Sequence, residues 1–192
     1  MKEKTEFIGV ETRDYCPFVR PSTEELLKEL LKNTQPKSIL EIGTFLGYSA
    51  SLMAEICSDA KIITLEKNEQ NFLDAQKNLA AVKNVEIVNC DALEFLENRQ
   101  DLKFDFVFLD GPKGQYFKYL PYLKQMLSIG GILVADDILF YGLVDSQQKI
   151  EHKHRSLVNN LRKFINMIKN DVDFETKIYD FDDGVAVITK IR

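Results

Sequence analysis

The feature that most constrains this chain is an alternation of strand-like and helix-like segments, with acidic residues where the strands stop. Strands are predicted at 38–42, 61–66, 85–88, 104–109 and 131–135. Helices are predicted at 48–57 and 68–82, from near Pro121, and over 155–169. The runs FDFVFL and GILVA are nearly all apolar. Strands buried on both faces read this way, and parallel sheets covered by helices bury them so. The pattern implies a doubly wound α/β fold. A further pair at 174–178 and 185–189, around Asp182-Asp183-Gly184, is predicted to close the sheet antiparallel. The expectation is one domain over 1–192 with a mainly parallel seven-stranded sheet. Residues 1–35 form its N-terminal extension and helix. In that helix, Ser22 is the expected cap and Glu25 completes a capping box. Leu26, Leu27, Leu30 and Leu31 supply its apolar face, and Pro36 ends it.

Composition narrows the class. With 192 residues, 45% of them apolar and 29% charged, the chain can bury roughly 70% of its unfolded surface. A net charge of −5 argues against wholesale coating of nucleic acid but leaves room for a local basic patch. Cys16, Cys57 and Cys90 are odd in number and form no C-x-x-C, the usage of reduced thiols in a cytoplasmic protein. The N-terminus lacks the apolar core of a signal peptide. The longest apolar run, 130–144, carries two aspartates at its middle, so no membrane span is expected.

Doubly wound sheets bind ligands beyond the carboxyl ends of their strands. Here those ends carry Glu41, Glu66, Asp91, Asp110 and the pair Asp136-Asp137. After the first strand the chain reads Glu41-Ile42-Gly43-Thr44-Phe45-Leu46-Gly47. This E-x-G-x-x-x-G differs from the G-x-G-x-x-G that lays a helix N-terminus on a pyrophosphate. A carboxylate before the first glycine suits an ammonium, and S-adenosylmethionine has an amino-acid end and no phosphate. Glu66, at the end of the second strand, can accept from both ribose hydroxyls. Asp91, after the third, is placed for the adenine.

Strands four and five can be neighbours, so Asp110 would meet Asp136 and Asp137. At ~5 Å and an effective dielectric of ~20, each like pair repels by roughly 3 kcal/mol. Three such carboxylates must spread, take up protons or bind a cation. Oxygen donors favour Mg2+, Ca2+ or Mn2+ over zinc. Lys113 is three residues past Asp110. Were burial and nearby cationic charge to keep it neutral, it could accept a hydroxyl proton, or it is a surface lysine paired with an acid.

The stretches ILEIGTFLGYSA, ITLEKN, NCDALEF, FDFVFLDGPKGQY and GGILVADDILFYGLV resemble the cation-dependent class I O-methyltransferases of catechol and caffeoyl-CoA type. The resemblance spans roughly residues 16–192. It implies a Rossmann-like fold, S-adenosylmethionine and a divalent cation, Mg2+ by preference. It also implies a homodimer. Carried over, Glu41, Gly43, Phe45, Ser49, Glu66, Asp91, Ala92 and Asp110 hold the cofactor. Asp110, Asp136 and Asp137 hold the metal, and Lys113 is the catalytic base. The family usually has Asp-Asn where this chain has Asp136-Asp137.

Within the family, KGQY (113–116) and HKHRSLVNNLRKF (152–164) are similar to bacterial enzymes that methylate 5-hydroxyuridine at the tRNA wobble position. Charge is consistent with that partner. Residues 147–163 hold five Lys/Arg and one Glu, net +4, leaving −9 on the remainder of the −5 chain. On this helix Leu157, Val158, Leu161, Phe164, Ile165 and Ile168 form an apolar face. Arg155, Asn159, Arg162, Asn166 and Lys169 form a stripe that could meet phosphates. The expected substrate is therefore tRNA 5-hydroxyuridine, giving 5-methoxyuridine, with a small catechol-like phenol as the alternative. A nicotinamide oxidoreductase would also use Glu66, but it leaves the three aspartates unexplained. A non-catalytic cofactor-binding module would have no use for Lys113.

Overall fold

The computed structural model describes residues 3–12, 18–147 and 149–192, in two compact units, Met1–Phe95 and Leu96–Arg192. Cys16 lies outside the described residues.

The first unit holds α1 (Pro21–Thr34), β1 (Ser38–Ile42), α2 (Tyr48–Ile56), β2 (Lys61–Glu66), α3 (Glu69–Asn78) and β3 (Val85–Asn89), and α4 (Ala92–Asn98) begins at its end. The strands run β3-β2-β1, both pairs parallel, with Ile42 opposite Leu65 and Glu66 opposite Asn89. This register sets their carboxyl ends side by side. On α1, Leu27 and Leu31 are fully buried. The helix stops where Gln35 turns left-handed, φ 45°, ahead of Pro36, which disfavours continuation of the helix.

The second unit holds β4 (Phe104–Leu109), a short 3-10 turn (Lys113–Gln115), α5 (Tyr116–Met126), β5 (Leu127–Ala135), α6 (His152–Asn170), β6 (Phe174–Tyr179) and β7 (Val185–Lys190). The order is β4-β5-β7-β6. β4 and β5 are parallel with Leu109 opposite Ala135, while β7 runs antiparallel to both β5 and β6. Phe106, Val107, Phe108 and Leu109, like Val134 and Ala135, are fully buried. The α/β class, the seven strands and the antiparallel C-terminal strand are those expected.

Several boundaries differ from expectation. Ser22 does not cap α1. Arg20 is the N-cap and Pro21 takes the first helical position, where its missing N–H costs nothing. α5 starts at Tyr116, five residues before Pro121, which sits inside the helix. α3 ends at Asn78 although its apolar period runs on to Val82. There the last turn tightens, with Val82 N–H donating to the Leu79 carbonyl at 2.8 Å. β5 starts at Leu127 because Gly130-Gly131 forms an irregularity opposite Phe104–Phe106 rather than a strand end. Gly130 has φ 80°, and a Cβ on Gly131 would come within 2.8 Å of the Ser128 carbonyl. The helix α4 was not predicted. It begins at an Asp-x-x-Glu start, Asp91 to Glu94, which is a legible signal.

Candidate active site

In the first unit the loop between β1 and α2 is held open by backbone conformation. Gly43, Phe45 and Gly47 have φ 104°, 50° and 89°, of which only Phe45 is costly for its side chain. Gly43 and Thr44 N–H groups donate to the Leu65 carbonyl at 3.0 and 3.2 Å. Gly47 caps α2, and a Cβ there would lie 2.8 Å from the Leu79 side chain. Ser49 is buried in the first turn of α2.

Glu66 secures this loop. Its Oε2 accepts Phe45 N–H and its Oε1 accepts Asn68 N–H, both at 2.8 Å, and it is 9% exposed. Glu41, expected to meet the cofactor's ammonium, is 0% exposed. Thr64 Oγ1 donates to Glu41 Oε2, and because that hydroxyl has one proton, Thr44 Oγ1 must donate to Thr64. The chain Thr44–Thr64–Glu41 ties the loop to the strand ends. Asp91 Oδ1 accepts the Leu93 and Glu94 N–H groups at 2.8 and 3.4 Å, capping α4 just before the buried Ala92. Its Oδ2 pairs with Lys67 at 2.8 Å. Lys67, then the two amides, hold its pKa below the ordinary value.

In the second unit the parallel register of β4 and β5 delivers Asp110, Asp136 and Asp137 to one place. Each offers a carboxylate oxygen, and these oxygens lie within 4.8 Å of one another. Asp136 is 2% exposed, and its carboxyl is pushed up to about 7 by burial first, then by Asp110 and Asp137. Asp137 adopts φ 54°, a conformation that Asp and Asn tolerate better than most residues. Its N–H donates to Asp136 Oδ1 at 2.9 Å.

Lys113 Nζ lies 2.6 Å from Asp110 Oδ1 and 3.3 Å from Asp137 Oδ2. Burial alone would lower its pKa. The negative groups around it, Asp110 and Asp137 in direct contact, outweigh burial and hold it well above the ordinary lysine value. With only protein groups around it, the ammonium form of Lys113 is favoured, as in the acid-paired alternative. The same three hard oxygen donors fit a divalent cation of the Mg2+ or Ca2+ kind.

A sequence model of the O-methyltransferase family matches residues 11–191. The chain belongs to the O-methyltransferase family, in its caffeoyl-CoA and catechol branch. As a member it is an S-adenosylmethionine-dependent O-methyltransferase. It is 30% identical to a catechol O-methyltransferase of Niastella koreensis, over 69% of this chain and 63% of that one. It is 26% identical to a caffeoyl-CoA O-methyltransferase of Populus kitakamiensis, over 86% and 74%. A Staphylococcus aureus protein solved as a candidate caffeoyl-CoA O-methyltransferase superposes with a TM-score of 0.84 at 31% identity, covering 91% of this chain and 85% of that chain.

Other residues of this O-methyltransferase take parts that sequence did not disclose. Arg155, Asn159, Arg162, Asn166 and Lys169 are all exposed on α6. Arg162, however, donates to the carbonyls of Leu143, Val144 and Ser146 at 3.4, 2.8 and 2.9 Å, so its guanidinium fastens the segment after the carboxylates. Arg155 Nε donates to the Ile150 carbonyl at 3.2 Å, and Lys163 sits 4.5 Å from the Phe117 ring centre. In the first unit, Asn78 Nδ2 donates to the Ile8 and Leu46 carbonyls, and Asn78 Oδ1 accepts Ile8 N–H. The N-terminal segment is thereby fixed to the glycine loop. No helix among the described residues is long and apolar enough to cross a membrane.

Proposed function

We propose that this enzyme methylates one hydroxyl of a small phenol bearing two adjacent oxygens, with Asp110, Asp136 and Asp137 holding a divalent cation, Mg2+ by preference. The observation that carries the reading is the meeting of three carboxylates from two parallel strands beside a lysine. The relatives' names, catechol and caffeoyl-CoA O-methyltransferase, support the substrate class. When bound, the cation would supply positive charge that acidifies the substrate hydroxyl, and S-adenosylmethionine would supply the methyl group.

The chain's own residues do the rest. Gly43, Phe45 and Ser49 shape the cofactor's bed, Glu66 holds the loop and keeps lone pairs for ribose hydroxyls, and Glu41 steadies the loop through Thr64 and Thr44. Asp91 and Ala92 border the adenine. Lys113 takes the substrate proton at Nζ, after releasing its own against the pull of Asp110 and Asp137. Positioning of the reacting atoms accounts for much of the remaining rate.

The charge of α6 favours a second reading, with 5-hydroxyuridine of tRNA as substrate. Arg155, Asn159 and Lys169 face solvent, although Arg162 is already engaged with backbone carbonyls. Methyl transfer to a dihydroxyphenyl compound and to hydroxyuridine-containing tRNA, each followed from low to high salt, separates the readings. A product on the phenol with little salt dependence supports the first. A product only on tRNA, lost steeply with salt, replaces it with the second.

A further inference from the structure

Tyr116 is the largest fully buried side chain among the described residues. It opens α5, six residues after Asp110, and its ring stands edge-on to Phe164 of α6 with centres 5.5 Å apart. Nothing in the proposed methyl transfer uses it. Its hydroxyl, though, lies 3.1 Å from the Leu109 carbonyl and 3.3 Å from the Asp136 carbonyl. The Leu109 carbonyl belongs to the peptide unit that leads into Asp110, and the Asp136 carbonyl to the one that leads into Asp137. A phenol has one proton, so the two carbonyls share it. The Leu109 carbonyl also accepts Asp136 N–H at 3.0 Å. One buried hydroxyl therefore clamps the tips of β4 and β5 where all three carboxylates leave the sheet.

The geometry points to Tyr116 as a positioning residue that fixes the spacing of Asp110, Asp136 and Asp137, and so favours a small, strictly octahedral cation over a larger one. This rests on the cation reading of those carboxylates. Mg2+ demands near-ideal octahedral geometry at about 2.0–2.1 Å, whereas Ca2+ accepts irregular shells at about 2.3–2.6 Å. A clamp on the strand tips matters more to the first than to the second. Without the hydroxyl, two carbonyls that water cannot reach lose their shared donor. The bond from Asp136 N–H to the Leu109 carbonyl still joins the strand tips, but their spacing is less tightly set. The ring contact with Phe164 does not depend on the hydroxyl, so Tyr116→Phe keeps the packing and removes only the clamp.

The test is calorimetric titration of Mg2+ and of Ca2+ into the native chain, Tyr116→Phe and Phe164→Leu, with no methyl donor or acceptor present. Tyr116→Phe is expected to weaken Mg2+ binding about 10-fold, the usual cost of losing a group behind a metal ligand, and Ca2+ binding by clearly less. Phe164→Leu keeps the hydroxyl, so it should lower the melting temperature while leaving the Mg2+ to Ca2+ affinity ratio at the native value. An unchanged ratio in Tyr116→Phe overturns the inference, as does an equal change in Phe164→Leu, which would make the effect one of packing. A native chain that binds neither ion overturns the cation reading itself, a result distinct from the other two.

Discussion

Replacing Asp136 with asparagine is expected to stabilise the cation-free protein at neutral and alkaline pH while destroying its response to cations. The Asp136 carboxyl is 2% exposed and titrates near 7 instead of 3.8, because burial and then Asp110 and Asp137 oppose its charge. An acid whose folded pKa is raised binds its proton more tightly in the folded state. Its contribution is therefore intact below about 3.8 and is lost as pH rises to about 7. At about 1.4 kcal/mol per pH unit, the loss comes to roughly 4.5 kcal/mol as an upper bound. Asparagine has nothing to ionise, and its Oδ1 can still accept the Asp137 N–H that now lies 2.9 Å away. Allowing for relaxation of the neighbouring carboxylates, the gain should be about 2–4 kcal/mol at pH 8, or about 5–15 °C in melting temperature for a chain of this size. At pH 4 it should vanish. The assay is urea unfolding of both proteins in chelator across pH 4–8, because the difference between them reports the titration of Asp136 together with the carboxylates coupled to it. Adding Mg2+ should then raise the melting temperature of the native chain and leave the variant's unmoved. A difference between the two proteins that stays flat from pH 4 to 8 refutes the reasoning.

Two further outcomes follow from the same geometry. Lys113→Ala should cut methyl transfer by about 10²–10⁴ with cofactor affinity unchanged in a binding titration. Gly47→Ala combines φ 89° with a Cβ 2.8 Å from the Leu79 side chain. It should cost about 1–3 kcal/mol in denaturant unfolding and weaken S-adenosylmethionine binding along with it.

Much of the fold was legible because its signals are local and strong. The apolar runs of β1, β2 and β4 stop at acidic residues, and the structure ends those strands at or beside Glu41, Glu66 and Asp110. The gathering of Asp110 with Asp136 and Asp137 was also readable, since parallel neighbours deliver their next residues to a common edge. Long-range geometry hid the rest. That Lys113 is charged follows from its distances to Asp110 and Asp137 together, and spacing reveals only the first of these. Glu41 reads as a ligand-facing acid, and the bond that it accepts from Thr64, 23 positions later, is not visible in the spacing. Arg162 reads as a solvent cation on a helical stripe, yet the carbonyls of Leu143, Val144 and Ser146 claim it, and backbone acceptors leave no mark in sequence. Pro121 misled about α5 because proline usually marks a first turn, and here the turn Lys113–Gln115 had already started the helix.

The most direct measurement is radiolabelled methyl transfer from S-adenosylmethionine to a dihydroxyphenyl acceptor, run after exhaustive chelation and again after Mg2+ is restored, in the native chain and in Asp110→Asn. The carboxylate geometry predicts activity in the native chain that disappears with chelation and returns with Mg2+, and none in the variant under either condition. Undiminished transfer in chelator, or a fully active Asp110→Asn, would contradict it.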